Sequence, residues 1–210
     1  ALANQIKSWG YDGVEFPMFS PDCSPWSAFR RELDSLGLGR TAVTVLPEGA
    51  NLISDKAGER KAAIGHLKTC IDSCVEVGAE VLCGPVYAPV GLLVGRGPTD
   101  DEKKRCVEGL RVVGEYAQRN GVIIALEALN RFETYFLNCQ ADASELVDAV
   151  GLSSVGQLYD TFHANIEEKN LSEAIKGAAK RVKHVHISAN DRATPGEDHI
   201  AWRETFAALN

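Results

Sequence analysis

Val122-Ile123-Ile124-Ala125-Leu126-Glu127 is an unbroken apolar run that ends on a carboxylate. A run without polar alternation reads as a strand buried on both faces, as strands of a parallel sheet are. The same unit recurs on either side. Upstream, strands are read at Gly13-Val14-Glu15-Phe16, at Thr41 to Leu46 with Pro47 ending it, and at Glu80 to Val86. Downstream they are read over 155–160 and 182–188. Helical spacing fills the intervals. Trp26, Phe29, Leu33 and Leu36 follow Ser24-Pro25, an N-cap and a proline at the first helical position. Ile64, Leu67, Ile71 and Val75 share one face of a helix over 57–77, and Gly78 ends it. Thr99 and Glu102 form a capping box before the buried stripe Cys106, Leu110, Val113 and Ala117. Further helices are expected over 142–150, 171–180 and from 199, and residues 1–9 read as the end of a helix closed by Gly10.

Strand–helix alternation argues for a parallel α/β fold. A doubly wound sheet would advertise a Gly-rich phosphate turn after its first strand, and no G-x-G-x-x-G is present. A (β/α)8 TIM barrel instead collects polar residues at the C-terminal ends of many strands. Glu15, Glu127, Asp160 and His186 all lie at or near such ends. The expectation is a single barrel domain over residues 1–210, with the six strands read here two short of closure.

Composition narrows the function. The 210 residues are 45% hydrophobic and 24% charged, which is ordinary for a globular protein and excludes a disordered tail. A net charge of −7 disfavours nucleic-acid binding, because such a surface repels phosphates. No apolar run approaches the ~18 residues that span a bilayer, so no membrane role is expected. The six cysteines form no C-x-x-C pair and are read as reduced thiols of a cytoplasmic protein. The start carries no signal-peptide pattern. It reads Ala-Leu-Ala rather than Met, as expected of a processed form or a fragment opening in mid-element.

The chemistry sits on three successive strands. Glu127 and Asp160 each end an apolar strand, where a carboxylate faces the barrel mouth or is buried at a cost of several kcal/mol unless paired or metal-bound. A structural ion pair is the alternative reading for Glu127. His184 and His186 are two apart, so both side chains take one face while Val185 and Ile187 take the other. Glu127, Asp160 and His186 thus form a metal-ligand set. Hard carboxylates with one imidazole suit Mn²⁺ or Mg²⁺, with Co²⁺ possible, better than a thiolate-selecting metal.

Glu127-Ala-Leu-Asn-Arg-Phe-Glu133 together with Asp160-Thr-Phe-His163-Ala-Asn-Ile-Glu-Glu168 resembles the ketose 3-epimerase family. These are the D-tagatose and D-psicose (allulose) 3-epimerases of the xylose isomerase-like barrel superfamily. His184-Val-His186-Ile-Ser-Ala-Asn-Asp-Arg192 continues the match, which runs in order over about residues 5–209. The resemblance implies metal-dependent epimerisation at C3 of free ketoses such as D-tagatose, D-fructose or ribulose, through a cis-enediolate with two carboxylates as base and acid. It implies Glu127 as the first catalytic, metal-binding glutamate, and Asp160 and His186 as further ligands, with Mn²⁺ the first choice of ion. It implies Glu133, His163 and Arg192 as holders of the substrate's O1 to O3 oxygens. It implies a homo-oligomer, dimer or tetramer. The family's first strand and its eighth, which carries a second catalytic glutamate, have no counterpart in these residues, so an incomplete barrel is expected.

Rivals on the same barrel share the Glu/Asp/His set: hydroxypyruvate isomerase and inosose dehydratase. An inactive fragment or sugar-binding relic is a third reading. A DNA-repair endonuclease would need more histidine ligands and a basic face, against five histidines and a charge of −7. Outside the motif, Glu15 is read equally as a mouth residue or a neighbour-strand partner. Trp9, Trp26 and Trp202 are read as packing, His66 as a surface or packing residue and His199 as a loop hydrogen-bonding group. Glu167-Glu168-Lys169 is read as a solvated helix entry.

Overall fold

A computed structural model describes residues 2–20 and 25–210. Among them, α1 (Leu2–Ser8) leads into β1 (Gly13–Pro17), then α2 (Trp26–Leu36), β2 (Gly39–Val43), α3 (Ala57–Val77) and β3 (Val81–Gly84). Next come α4 (Asp100–Arg119), β4 (Ile123–Glu127), α5 (Gln140–Val150) and β5 (Val155–Asp160). The chain continues with α6 (Thr161–Glu167), α7 (Leu171–Ala178), β6 (Val182–His186) and α8 (Trp202–Leu209). The six strands form one sheet in sequence order, and every pairing is parallel. This is the strand order of a (β/α)8 barrel, present here as six strands. The sheet curls far enough that Glu15 on β1 hydrogen-bonds His184 and His186 on β6, at the opposite end of the strand order.

The continuous apolar strands now have a cause. Ile124 and Leu126 of β4 join Leu67, Ile71, Leu110 and Val113 in the core between sheet and helices. Ala125, on the other face, packs with Cys83 and Leu158 inside the curl. Both faces of β4 are therefore dry, and its last residue, Glu127, takes the concave side with Ala125. Gly84 carries φ +125°, and a Cβ there would lie 2.1 Å from the carbonyl oxygen of Thr44. Gly84→Ala is expected to cost about 3 kcal/mol or more, from backbone strain plus overlap, read as a lowered denaturation midpoint.

Most elements fall where the sequence places them, and several boundaries move. The expected cap Ser24 lies outside the described residues, and Pro25 stands at the cap position of α2 rather than inside it. β2 ends at Val43, short of Leu46, although the Thr44 N–H still donates to Cys83 O at 2.9 Å. The last helix starts at Trp202, not near 199. Residues 161–167, where no helix was expected, form α6. Its signal was Asp160, whose Oδ1 accepts from the N–H groups of Phe162 and His163 at 2.7 and 3.0 Å, an N-cap.

Two further readings are corrected. Glu167 is not solvated: its side chain is 5% exposed, and it accepts from the Arg131 guanidinium and backbone N–H. Glu168 Oε1 accepts the first N–H of α5, from Gln140, at 2.7 Å. The pair ties α6 to the loop before α5, because orphan helix-end donors need acceptors. Trp9 is 61% exposed rather than packed. Trp26 is buried with Phe16 and Phe29, and Trp202 stacks near Phe206. Among the described residues Cys70, Cys74, Cys83, Cys106 and Cys139 are free thiols, and no helix is long and apolar enough to cross a membrane.

The capping box at the head of α4 is present: Glu102 N–H donates to Thr99 Oγ1 at 3.2 Å and Thr99 N–H to Glu102 Oε2 at 2.7 Å. Its carboxylate also takes two 2.9 Å bonds from Arg96 and one of 2.7 Å from the Tyr135 hydroxyl. The loop before α4 and the loop after β4 are thereby clamped to one side chain. The Arg96 guanidinium outweighs the effect of burial and lowers the Glu102 carboxyl to about 2. A depressed carboxyl contributes stability above its unfolded value and loses it as pH falls through the folded value. Amide protection factors of both loops, corrected for the intrinsic slowing of exchange in acid, are expected to fall as pH drops below the ordinary glutamate range toward about 2, and Glu102→Gln should lack that step.

Candidate active site

The polar residues gather on the concave face and at the C-terminal ends of the strands. Register places them. Asp160 of β5 pairs with His186 of β6, and Leu158 with His184. The pairing shifts between Gln157 and Leu158, so that Lys183 is the extra residue. This bulge re-aims β6 and sets both histidines beside β5's inward residues. Glu15 and Thr41 are register partners on β1 and β2.

Glu127, Asp160 and His163 each offer a ligand atom within 4.8 Å of the others, and so do Glu15, Cys83, His184 and His186. His186 links the two groups. Its Nδ1 lies 3.6 Å from Glu127 Oε1 and 3.7 Å from Asp160 Oδ2, while its Nε2 lies 2.9 Å from Glu15 Oε1. Glu127 and Asp160 are 7% and 8% exposed, and among the described residues neither has a lysine or arginine partner. Burial, with the Glu127 charge beside it, raises the Asp160 carboxyl. Two buried carboxylates thus face one imidazole with no lysine or arginine beside them. Separations of 3.6–3.7 Å are too long for hydrogen bonds and leave room for a small ion between the groups. The hard donor set fits a divalent metal of the Mn²⁺ or Mg²⁺ kind.

Without a metal, the protons arrange themselves around His186. Burial would lower its pKa, but Cys83, Glu127 and Glu15 outweigh that and push it up to about 12. Glu15 shifts the other way. Burial would raise it, yet hydrogen bonds from His184, His186 and Thr41 hold it well below the usual carboxylate range.

His163 is wired differently. The backbone N–H and side-chain Nδ2 of Asn130 both reach its Nδ1 at 3.0 Å. A nitrogen that accepts carries no proton, so the neutral ring bears its proton on Nε2, which points toward Glu127 Oε1 at 3.8 Å. Burial lowers this imidazole despite Asp160 and Glu133, which favours the neutral ring. Nε2–H is then a donor aimed into the site. Asn130 also donates to Glu133 Oε1 at 2.8 Å. Glu133 is paired with Arg192, which lies over the Phe162 ring at 4.1 Å. Arg192 holds φ +67°, the left-handed region that non-glycine residues rarely occupy.

All six residues expected at the site are linked by contacts: Glu127 and Asp160 face His186, buried His163 lies beside Glu127, and Asn130 connects His163 to Glu133 and its partner Arg192. His199 stays outside, its Nδ1 3.1 Å from Asn190 Nδ2 in an exposed loop. His66 is a packing residue, 3.0 Å from Thr44 Oγ1. Sequence reasoning passed over Asn130 and Cys83 and left Glu15 undecided. Asn130 sat in the quoted motif, midway between Glu127 and Glu133. Cys83 carried no signal beyond its strand.

Residues 3–210 match the family model described as the xylose isomerase-like TIM barrel. A probable ketose 3-epimerase of Synechocystis sp. is 36% identical over 203 residues, 97% of this chain and 71% of that protein. A D-psicose 3-epimerase of Enterocloster bolteae is 33% identical over 175 residues, 82% of this chain and 58% of that protein. The crystal structure of D-allulose 3-epimerase from Methylomonas sp. in complex with D-allulose superposes with a TM-score of 0.93 at 25% identity, covering 99% of this chain and 72% of that one.

Proposed function

This chain belongs to the ketose 3-epimerases of the xylose isomerase-like TIM-barrel family, and from that membership we propose that the protein inverts C3 of free ketoses of the D-fructose, D-tagatose and ribulose type. The observation that carries the reading is the meeting of two buried carboxylates without a lysine or arginine partner, Glu127 and Asp160, with His186 Nδ1. Glu127, Asp160 and His186 would hold the ion, Mn²⁺ first and Mg²⁺ or Co²⁺ after it. When bound, that ion supplies positive charge where the ketose oxygens become negative.

The chain's own groups supply the rest. The C3 proton is acidified by the adjacent ketone, and Glu127 is positioned to accept it, leaving an enediolate. Inversion needs a proton returned on the opposite face by a second acid, which the family resemblance assigns to a glutamate without counterpart among residues 1–210. His163 Nε2–H donates to a substrate oxygen, because Asn130 keeps Nδ1 as the acceptor. Glu133 and Arg192 hold hydroxyl groups at the rim, with Phe162 bracing the guanidinium. Burial of Glu127 and Asp160 keeps competing water from screening the charge that develops.

The deciding experiment incubates the protein and Mn²⁺ with D-fructose, D-tagatose, ribulose and hydroxypyruvate in D₂O. Deuterium entering C3 of a ketose is the expected result, with the C3 epimer formed where the second acid is present in the full-length protein. Turnover of hydroxypyruvate alone would replace the epimerase reading by the isomerase one. Arg192→Ala is expected to lower kcat/KM by about 10–100-fold, the cost of a charged hydrogen bond, with Mn²⁺ affinity within about twofold. Equal loss of both would contradict a substrate role.

A further inference from the structure

Glu15 is on β1, and the two histidines it touches are on β6, five strands away in the sheet order. Four donors converge on its carboxylate, the weakest of them Cys83 Sγ at 3.6 Å from Oε2. Thr41 Oγ1 donates to Oε2 at 2.7 Å, and His184 Nε2 meets the same oxygen at 2.7 Å. These two contacts orient the carboxylate and leave Oε1 for His186 Nε2 at 2.9 Å. A carboxylate oxygen accepts, so at 2.9 Å His186 presents Nε2–H to it. The ring is then fixed in both rotation and proton placement. Its other nitrogen, Nδ1, is turned to Glu127 Oε1 and Asp160 Oδ2 at 3.6 and 3.7 Å. A ring flipped by half a turn would point carbon at those carboxylates. A carboxylate behind a ligating imidazole sets its tautomer and raises its basicity.

We propose that Glu15 is a positioning residue for the metal site, its carboxylate locking His186 with Nε2–H toward β1 and Nδ1 free to ligate beside Glu127 and Asp160. The assignment rests on those two carboxylates and His186 holding the metal. It differs from a plain strand-to-strand staple, which the His184 contact would provide alone.

The test uses the protein with ¹⁵N-labelled histidine, ¹¹³Cd²⁺ as the probe ion and a parallel Mn²⁺ titration by calorimetry. In the unaltered protein, ¹¹³Cd–¹⁵N coupling is expected at His186 Nδ1. Coupling at Nε2 would put the ion among Glu15, Cys83, His184 and His186 and overturn the proposal. Glu15→Ala is expected to weaken Mn²⁺ by about 10–100-fold and to lose the Nδ1 selectivity. Glu15→Gln keeps an acceptor on Nε2–H and should retain Nδ1 coupling, with affinity within about fivefold. Unchanged affinity and coupling in Glu15→Ala would sink the assignment. Should Glu15→Ala fail to fold, Glu15→Asp decides instead, since it keeps the charge but withdraws the acceptor by a methylene. Asp160→Ala in the same titration separates the two readings. If it leaves Mn²⁺ affinity intact, the metal set itself is wrong, whereas intact affinity in the Glu15 variants alone removes only the role of Glu15.

Discussion

Asp160→Ala is expected to weaken Mn²⁺ binding by more than about 100-fold, beyond what loss of an outer-shell partner costs. Its two oxygens face different partners. Oδ1 caps α6 through the Phe162 and His163 N–H groups, and Oδ2 faces His186 Nδ1. Alanine removes both, so about 1 kcal/mol of stability should go with the cap. Asp160→Asn tells the two apart. Its carbonyl oxygen can still accept the cap bonds, and asparagine is as good an N-cap as aspartate. Stability should therefore recover in Asp160→Asn while metal binding stays weak, because the anionic ligand is gone. Calorimetric titration with Mn²⁺ beside thermal unfolding reads both. Wild-type affinity in either variant would remove Asp160 from the ligand set and leave it a helix cap.

The second large effect is expected of Glu127→Gln. The substitution preserves shape in a site where the carboxylate is 7% exposed, so the fold should survive. What it removes is proton acceptance. At saturating Mn²⁺, which compensates for weaker binding, exchange of the C3 hydrogen of the ketose with D₂O is expected to fall by about 10²–10⁴-fold, the range of general-base contributions. Exchange within tenfold of the unaltered protein would mean that Glu127 only ligates and that another group takes the proton. His163→Gln supplies the contrast. It deletes a donor and not the base, so its loss should be smaller and should not change which hydrogen exchanges.

Much of this site was legible because its residues end strands. Glu127 and Asp160 close apolar runs, and period-two alternation alone puts His184 and His186 on one face. His163 was legible as a site residue but not as a helical one. The α6 turn is seven residues long and has little apolar periodicity, so its only local signal was the Asp160 cap. The Glu167-Glu168 run misled for a similar reason. Adjacent charges read as solvated until Arg131 and the Gln140 N–H, 36 and 28 residues away, arrive as partners.

Local chemistry alone determined the strand–helix alternation, the helix over Ala57–Val77, the capping box at Thr99 and the strand over Val155–Asp160, and each appears in the structure. These depend on contacts between residues near in sequence, or on the requirement that a strand buried on both faces be apolar throughout. Tertiary structure alone decided three things. The bulge at Lys183 chose the register that sets His186 beside Asp160. The Asn130 N–H chose which nitrogen of His163 carries the proton, across 33 residues. The curl of the sheet brought Glu15 to His184 and His186, across 169 and 171 residues. No pattern in a linear sequence encodes those meetings, because strand curvature and register follow from how all six strands and their covering helices pack at once, and a hydrogen bond between the ends of a sheet exists only after that packing has closed the distance.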